Sequence, residues 1–182
     1  MTTENTGKIN KNIVEQLNSE DSDISLNTIS KLRESGNASY IPVLIELLHA
    51  TDNTEIKSKI TKLLAELKHS DAIPLIIEAI EDEKYANELR YLVSACWENG
   101  LDFSTHLSLF IDLVIENDLL VAFEAYTVIT NMTGKISEEI IDIESRKIKE
   151  AMLQTDVQKK ELMHDLLDFL PAFEKGIEPQ SF

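Results

Sequence analysis

The sequence predicts an all-α solenoid, a superhelical stack of antiparallel helix pairs, and three observations carry that prediction. A related octapeptide recurs as Ile41-Pro42-Val43-Leu44-Ile45-Glu46-Leu47-Leu48, as Ile73-Pro74-Leu75-Ile76-Ile77-Glu78-Ala79-Ile80 and as Leu107-Ser108-Leu109-Phe110-Ile111-Asp112-Leu113-Val114. The copies start at 41, 73 and 107, intervals of 32 and 34 residues, which is the period of helical repeat architectures. Within each copy the apolar residues fall at i, i+3, i+4 and i+7, as in Ile41, Leu44, Ile45 and Leu48, the spacing of a single helix face. Finally, the chain holds only 5 Gly and 4 Pro in 182 residues, too few turn formers for a many-stranded fold.

Taken in order, the apolar periodicity places helices near 7–19, 22–35, 40–50, 53–68, 72–82, 85–99, 103–116, 118–132, 137–153 and 156–171. The first, with Ile9, Ile13, Val14 and Leu17 on one face, is expected to cap one end of the stack as a unit of residues 1–20. Four repeats follow, at about 21–51, 52–83, 84–117 and 118–153. The segments before the octapeptides repeat as well: Glu55-Ile56-Lys57 and Ile60 align with Glu88-Leu89-Arg90 and Val93 at a shift of 33. Asp52 with Glu55 has the form of a capping box. With Ser39 and Asp71 as N-caps, Pro42 and Pro74 fall at N3, where the missing amide has no intrahelical acceptor to lose. Gly36, Gly100 and Gly134 fall at corresponding turns, where a helix C-terminus favours a left-handed residue. A last helix, with Leu162, Leu166, Leu167, Phe169 and Leu170 apolar, is expected to cap the other end over 154–173, stopped by Pro171, with 174–182 a flexible tail.

Two helices per 32–34 residues, with Ile-Pro-x-Leu-Ile-Glu opening the second, resembles the HEAT-like repeat family, especially its short bacterial form. Asp52 through Glu81 is the closest match, and Lys57 and Arg90 stand where that family commonly has a basic residue. The resemblance covers about 21–117; the fourth repeat departs from it, because Ser137-Glu138-Glu139-Ile140-Ile141 lacks the Ile-Pro signature. The resemblance implies a right-handed superhelix whose second helices line a concave surface. It implies a protein-binding scaffold more than an enzyme, although the family includes pigment-attaching lyases and DNA-repair enzymes. Physically, one such helix pair cannot bury its apolar face alone, and only stacking gives a continuous core.

Charge narrows the partners. With 33 acidic against 17 basic residues the formal net charge is -16. Such a surface repels nucleic-acid phosphates and anionic leaflets and attracts basic proteins. Neither nucleic acid nor membrane is therefore expected as a partner. No apolar run approaches the roughly 18 residues of a membrane span. The single cysteine, Cys96, excludes an internal disulfide, and Met1–Gly7 lacks a basic-then-apolar leader pattern; a cytoplasmic monomer is the expectation.

Two candidate binding features emerge. Glu46, Glu78 and Asp112 share one repeat position, so stacking would set them in a row, with Glu81, Asp82 and Glu116 about a turn further on. Like charges in a row repel, and a basic partner would relieve them; the plainer alternative is a polar face kept for solubility. The second feature is Tyr91–Gly134, which has no Lys or Arg but carries Trp97, Phe103, Phe110, Phe123 and Tyr126 among its acids. Rings and carboxylates both attract cations. Aromatics at helical spacing are nevertheless more often core, and Trp97 aligns with Leu64, a core position.

Catalysis is not expected. The sequence has no phosphate-binding glycine loop and no paired-histidine zinc motif, and no cofactor or metal is called for. His49, His69, His106 and His164 are scattered, and Cys96 has no adjacent base. The expected function is capture of a basic protein segment by an acidic concave face, with Glu46, Glu78 and Asp112 as its principal residues and Trp97 as a possible ring contact. The rival readings are an inhibitor or immunity-type protein that neutralises a basic enzyme, and a catalytic HEAT-like protein such as a lyase.

Overall fold

A computed structural model describes residues 9–35 and 37–175. Among these residues every regular element is helical, and the chain divides into two compact units, Met1–Asn99 and Gly100–Phe182. The third expected repeat straddles that division.

In the first unit α1 (Lys11–Leu17), α2 (Ser22–Ser35), α3 (Ile41–Ala50), α4 (Thr54–Ala65), α5 (Ile73–Glu81) and α6 (Leu89–Glu98) form two layers. α2, α4 and α6 pack side by side in one layer, and α1, α3 and α5 in the other. Each layer is needed because each helix is apolar along one stripe only. Ile29, Ile41, Leu44, Ile45, Leu48, Ile60, Leu64 and Ile76 are all almost fully buried where the stripes meet. Burying an aliphatic side chain of this size contributes about 1.5–3 kcal/mol, far more than helix propensity does, so the octapeptide spacing decides the fold. α1 contributes Leu17 to this core, whereas Ile9 is exposed and Ile13 and Val14 are half-buried. The capping face of the first helix is thus narrower than its sequence pattern suggests. It is tied down at Asn10, whose amide donates to Tyr40 Oη at 2.9 Å.

The second unit repeats the alternation. α7 (Leu107–Glu116) packs beside α9 (Glu138–Ala151), and α8 (Leu119–Asn131) packs beside α10 (Val157–Phe169); α7 and α8 share the broadest contact. Phe103 and Phe110 meet edge to face at 5.8 Å in its core, so these two aromatics are packing residues. A short α11 (Ala172–Lys175) follows Pro171 and buries Phe173, edge to face with Phe169 at 5.3 Å. The chain thus stays helical into the segment expected to be tail, and 176–182 lie outside the described residues.

Three local expectations are corrected. Ser39 and Asp71 are not N-caps: each sits inside a 3-10 turn, Ala38–Tyr40 and Ser70–Ala72, that leads straight into its helix, which puts Pro42 and Pro74 at N2. The first of these turns is capped by Asn37, whose side chain accepts from the Ser39 amide at 3.0 Å. Asp52 does not cap α4; Asn53 does, accepting from the amides of Glu55 and Ile56 at 2.9 and 3.2 Å, which satisfies two donors that a helix start leaves without partners. Gly100 has the expected left-handed φ of 70°, but Gly134 does not. A side chain at Gly134 would instead meet Asp102 Oδ2 at 2.7 Å and Ser104 at 2.8 Å. Gly36 lies outside the described residues.

Candidate protein-binding surface

α3 and α5 lie side by side, and a groove of about 240 Å³ runs along them, lined by Pro42, Ile45, Leu75, Glu78, Ala79, Asp82 and Tyr85. Its floor is aliphatic because Ile45 and Ala79 belong to the buried stripes of their helices. Its rim is acidic because Glu78 is exposed on α5 and Asp82, exposed as well, follows directly on the end of that helix. Asp82 is also a structural cap, accepting from the Lys84 amide at 2.9 Å to start the 3-10 turn Glu83–Tyr85. Glu78 and Glu81 are exposed and, among the described residues, make no ion pair.

Glu46 is different. Its carboxylate accepts from Lys84 Nζ and, at 2.9 Å, from Tyr85 Oη. Lys84 also lies over the Tyr85 ring, 5.1 Å from its centre. The bond from Lys84 first, and then that from Tyr85, holds the Glu46 carboxyl below the usual carboxylate range. Burial first, and Glu46 second, push the Tyr85 hydroxyl upward. Asp112, in the second unit, is likewise occupied: Lys147 Nζ donates to its Oδ1 at 2.7 Å and stands 3.0 Å from Glu144 Oε2, a charge contact without hydrogen-bond alignment. Burial works to lower the Lys147 ammonium, and the bond to Asp112 with the charge of Glu144 beside it more than offsets that, leaving it raised. Two of the three equivalent acids therefore carry a lysine of their own chain, and these positions are less negative than the sequence alone implies. Glu116 is exposed at the end of α7.

Trp97 is not core. It is 36% exposed on α6, while Cys96 before it is buried. The reason is register. The buried set of α4 is Ile56, Ile60, Leu63 and Leu64, and that of the next repeat is Glu88, Leu92, Val93, Ala95 and Cys96; all of these but Val93 stand 32 residues after a buried residue of α4. The interval of 33 that pairs Leu64 with Trp97 places a core residue opposite a surface one. In the correct register Glu88 takes the place of Ile56. It is 5% exposed, and its Oε2 lies 2.9 Å from His49 Nδ1; the His49 ring in turn meets Tyr85 edge to face at 5.6 Å. This buried acid was legible only once the register was known.

The remaining chemistry is structural. Burial pushes the Cys96 thiol far above its usual range, which leaves it inert as a nucleophile. His164 is paired loosely with Asp168 at 3.5 Å on an exposed face. Among the described residues no three His, Cys, Asp or Glu side chains gather as metal ligands, and no helix is long and apolar enough to cross a membrane. Lys159, buried on α10, donates to the carbonyls of Ile115 and Asn117, both at 2.7 Å, and so closes the C-terminal end of α7.

Paired helices in two alternating layers, with conserved spacing of the buried stripes from one pair to the next, define a helical repeat protein. Residues 10–95 match the family of HEAT repeats, and that stretch is a HEAT-like repeat array. HEAT repeats generally mediate protein–protein interaction, and their helical fold is typical of non-enzymatic scaffolds. No curated protein matches the chain.

Proposed function

We propose that the chain is a protein-binding scaffold that holds a basic segment in the α3–α5 groove. The observation that supports this reading is the groove's construction: an aliphatic floor of Ile45, Leu75 and Ala79 under a rim of Glu78 and Asp82, with Tyr85 at one side. A lysine or arginine fits such a place in both its parts, the methylene stem on the floor and the cationic head at the rim. Glu78 at the rim is the principal attracting charge, with the exposed Glu81 one turn further along α5 adding to it, since Glu46 already has Lys84. Glu46 instead orients Tyr85 at the groove, and the net charge of -16 steers a basic segment toward the molecule.

The test is capture of basic proteins from a native lysate at low and high salt by the wild-type chain and by Glu78→Lys/Glu81→Lys. Both changed residues are exposed, so the circular dichroism spectrum is expected to stay the same. Capture at low salt, release at high salt and loss in the double variant would support the groove. Equal capture by the variant would refute it. Retention of one basic enzyme in inhibited form would turn the reading toward an inhibitor or immunity-type protein.

A further inference from the structure

The second unit carries a surface that its own packing leaves uncovered. α8 has the sequence Leu119-Leu120-Val121-Ala122-Phe123-Glu124-Ala125-Tyr126-Thr127-Val128-Ile129-Thr130-Asn131, with one charged residue in thirteen. Val121, Ala122, Ala125, Val128 and Ile129 are buried, and the helix packs chiefly on α7 and α10. On its other side Leu120 and Phe123 are each 56% exposed and Leu119 is exposed beside them. Phe123 lies near-parallel to Tyr126, ring centres 6.4 Å apart. A helix that is apolar all round is normally enclosed. The corresponding helix of an earlier repeat, α4, meets solvent with Lys57, Lys59 and Lys62, so solvent alone does not call for leucine and phenylalanine at this element.

The charge around the patch indicates what covers it. Glu116, exposed, ends α7, and Asp118, also exposed, caps α8 by accepting from the amides of Leu120 and Val121 at 3.0 Å. Residues 107–134 contain no Lys or Arg. The buried Lys159 of α10 has its ammonium committed to backbone carbonyls, and α10 otherwise sets Lys160 against Glu161, Asp165 and Asp168. A second copy of α8 is a poor cover, because a twofold contact uses the same patch on both copies and would bring one acidic patch against another.

We propose that the exposed face of α8, built on Leu120 and Phe123, docks an amphipathic helical segment of another protein that presents apolar anchors with lysine or arginine beside them. The anchors lie on Leu119, Leu120 and Phe123, and the cations reach Glu116 and Asp118 at the rim. This inference shares with the groove reading only the sign of the partner's charge. It names a different surface and requires apolar anchors in addition to charge.

The experiment titrates the full chain with a fluorescently labelled Leu/Lys helical peptide about three turns long, leucines on one face, and with a Leu/Glu peptide of the same pattern. Leu120→Asn/Phe123→Asn removes the anchors without changing charge, at positions exposed enough for the fold to persist. The Leu/Lys peptide is expected to bind the wild-type chain and to bind this variant at least about tenfold more weakly, while the Leu/Glu peptide does not bind. Glu78→Lys/Glu81→Lys is titrated in parallel. If that variant alone loses the peptide, the groove stands and the α8 proposal falls; if only the α8 variant loses it, the α8 proposal stands whatever becomes of the groove. Equal affinity in wild type and α8 variant, or dimerisation of the free wild-type chain in sedimentation that the α8 variant abolishes, overturns the proposal.

Discussion

Gly134 and Gly100 show how differently one residue type can be required. At Gly134 a Cβ has nowhere to go: Asp102 Oδ2 and Ser104 stand within 2.8 Å, and its amide donates to Ser104 Oγ at 2.8 Å. Gly134→Ala is expected to cost about 1–3 kcal/mol, the range for forced overpacking. Gly100 has open space but a φ of 70°, so Gly100→Ala should cost only the left-handed strain, about 1–2 kcal/mol, with no clash added. Urea midpoints of the two variants measure the difference, and a larger cost at Gly100 would contradict this account. Asp102 in the same loop offers a pH test. Burial is the largest influence on it and acts to raise it, yet hydrogen bonds from Ser104, Thr133 and Gly134 together hold its carboxyl below its ordinary value of 3.8. As pH falls, the unfolded chain therefore takes up this proton before the folded one does. The stability that Asp102 contributes is full above that ordinary value and is lost as pH drops below it through the folded value. The stability difference between wild type and Asp102→Asn should accordingly be largest near neutrality and shrink in acid, as denaturation midpoints across pH would show.

For each element, what could be read from sequence was what hydrophobic spacing controls. The helices, their pairing and the buried residues of α3 and α5 follow from i, i+3, i+4, i+7 spacing, because burial is the dominant energy. What escaped was set by smaller effects: Asn53 rather than Asp52 at the start of α4, and the 3-10 turns ahead of α3 and α5. The α6 register escaped for another reason, since intervals of 32 and 33 both align apolar residues and only burial separates them. The groove floor was implicit in the octapeptides, but Lys84 and Lys147 lie 38 and 35 residues from the acids they pair with, too far for local spacing to reveal. The α6 register carries its own prediction. His49→Ala leaves the buried Glu88 without its partner and should cost about 1–3 kcal/mol. His49→Leu/Glu88→Ile replaces the polar pair by apolar groups and restores the isoleucine of the α4 position, so it should be near neutral or stabilising. A double variant less stable than His49→Ala would show that the pair does more than fill space.

Over the whole molecule, charge sets the behaviour. A net charge of -16 repels itself at any neutral pH, and the paired lysines at Glu46 and Asp112 relieve it only locally. Exposed ion pairs are each worth about 0–1 kcal/mol and weaken with salt, whereas the diffuse repulsion extends over a Debye length of roughly 10 Å at 0.1 M. Added salt should therefore stabilise the fold: Tm is expected to rise by a few degrees between about 0.01 M and 0.15 M NaCl. A fall in Tm over that interval would mean that the ion pairs outweigh the repulsion. The same salt that steadies the fold should loosen a basic partner, so stability and capture move in opposite directions along one titration.

The burial of Cys96 has a practical side. Its thiol is the only one in the chain, and it is enclosed between α6 and its neighbours with its proton held tightly. To a maleimide reagent the folded protein is a blank. A cysteine engineered at an exposed position of α5 or α8 would take a single dye with no background, so occupancy of either surface could be watched on the intact molecule in real time.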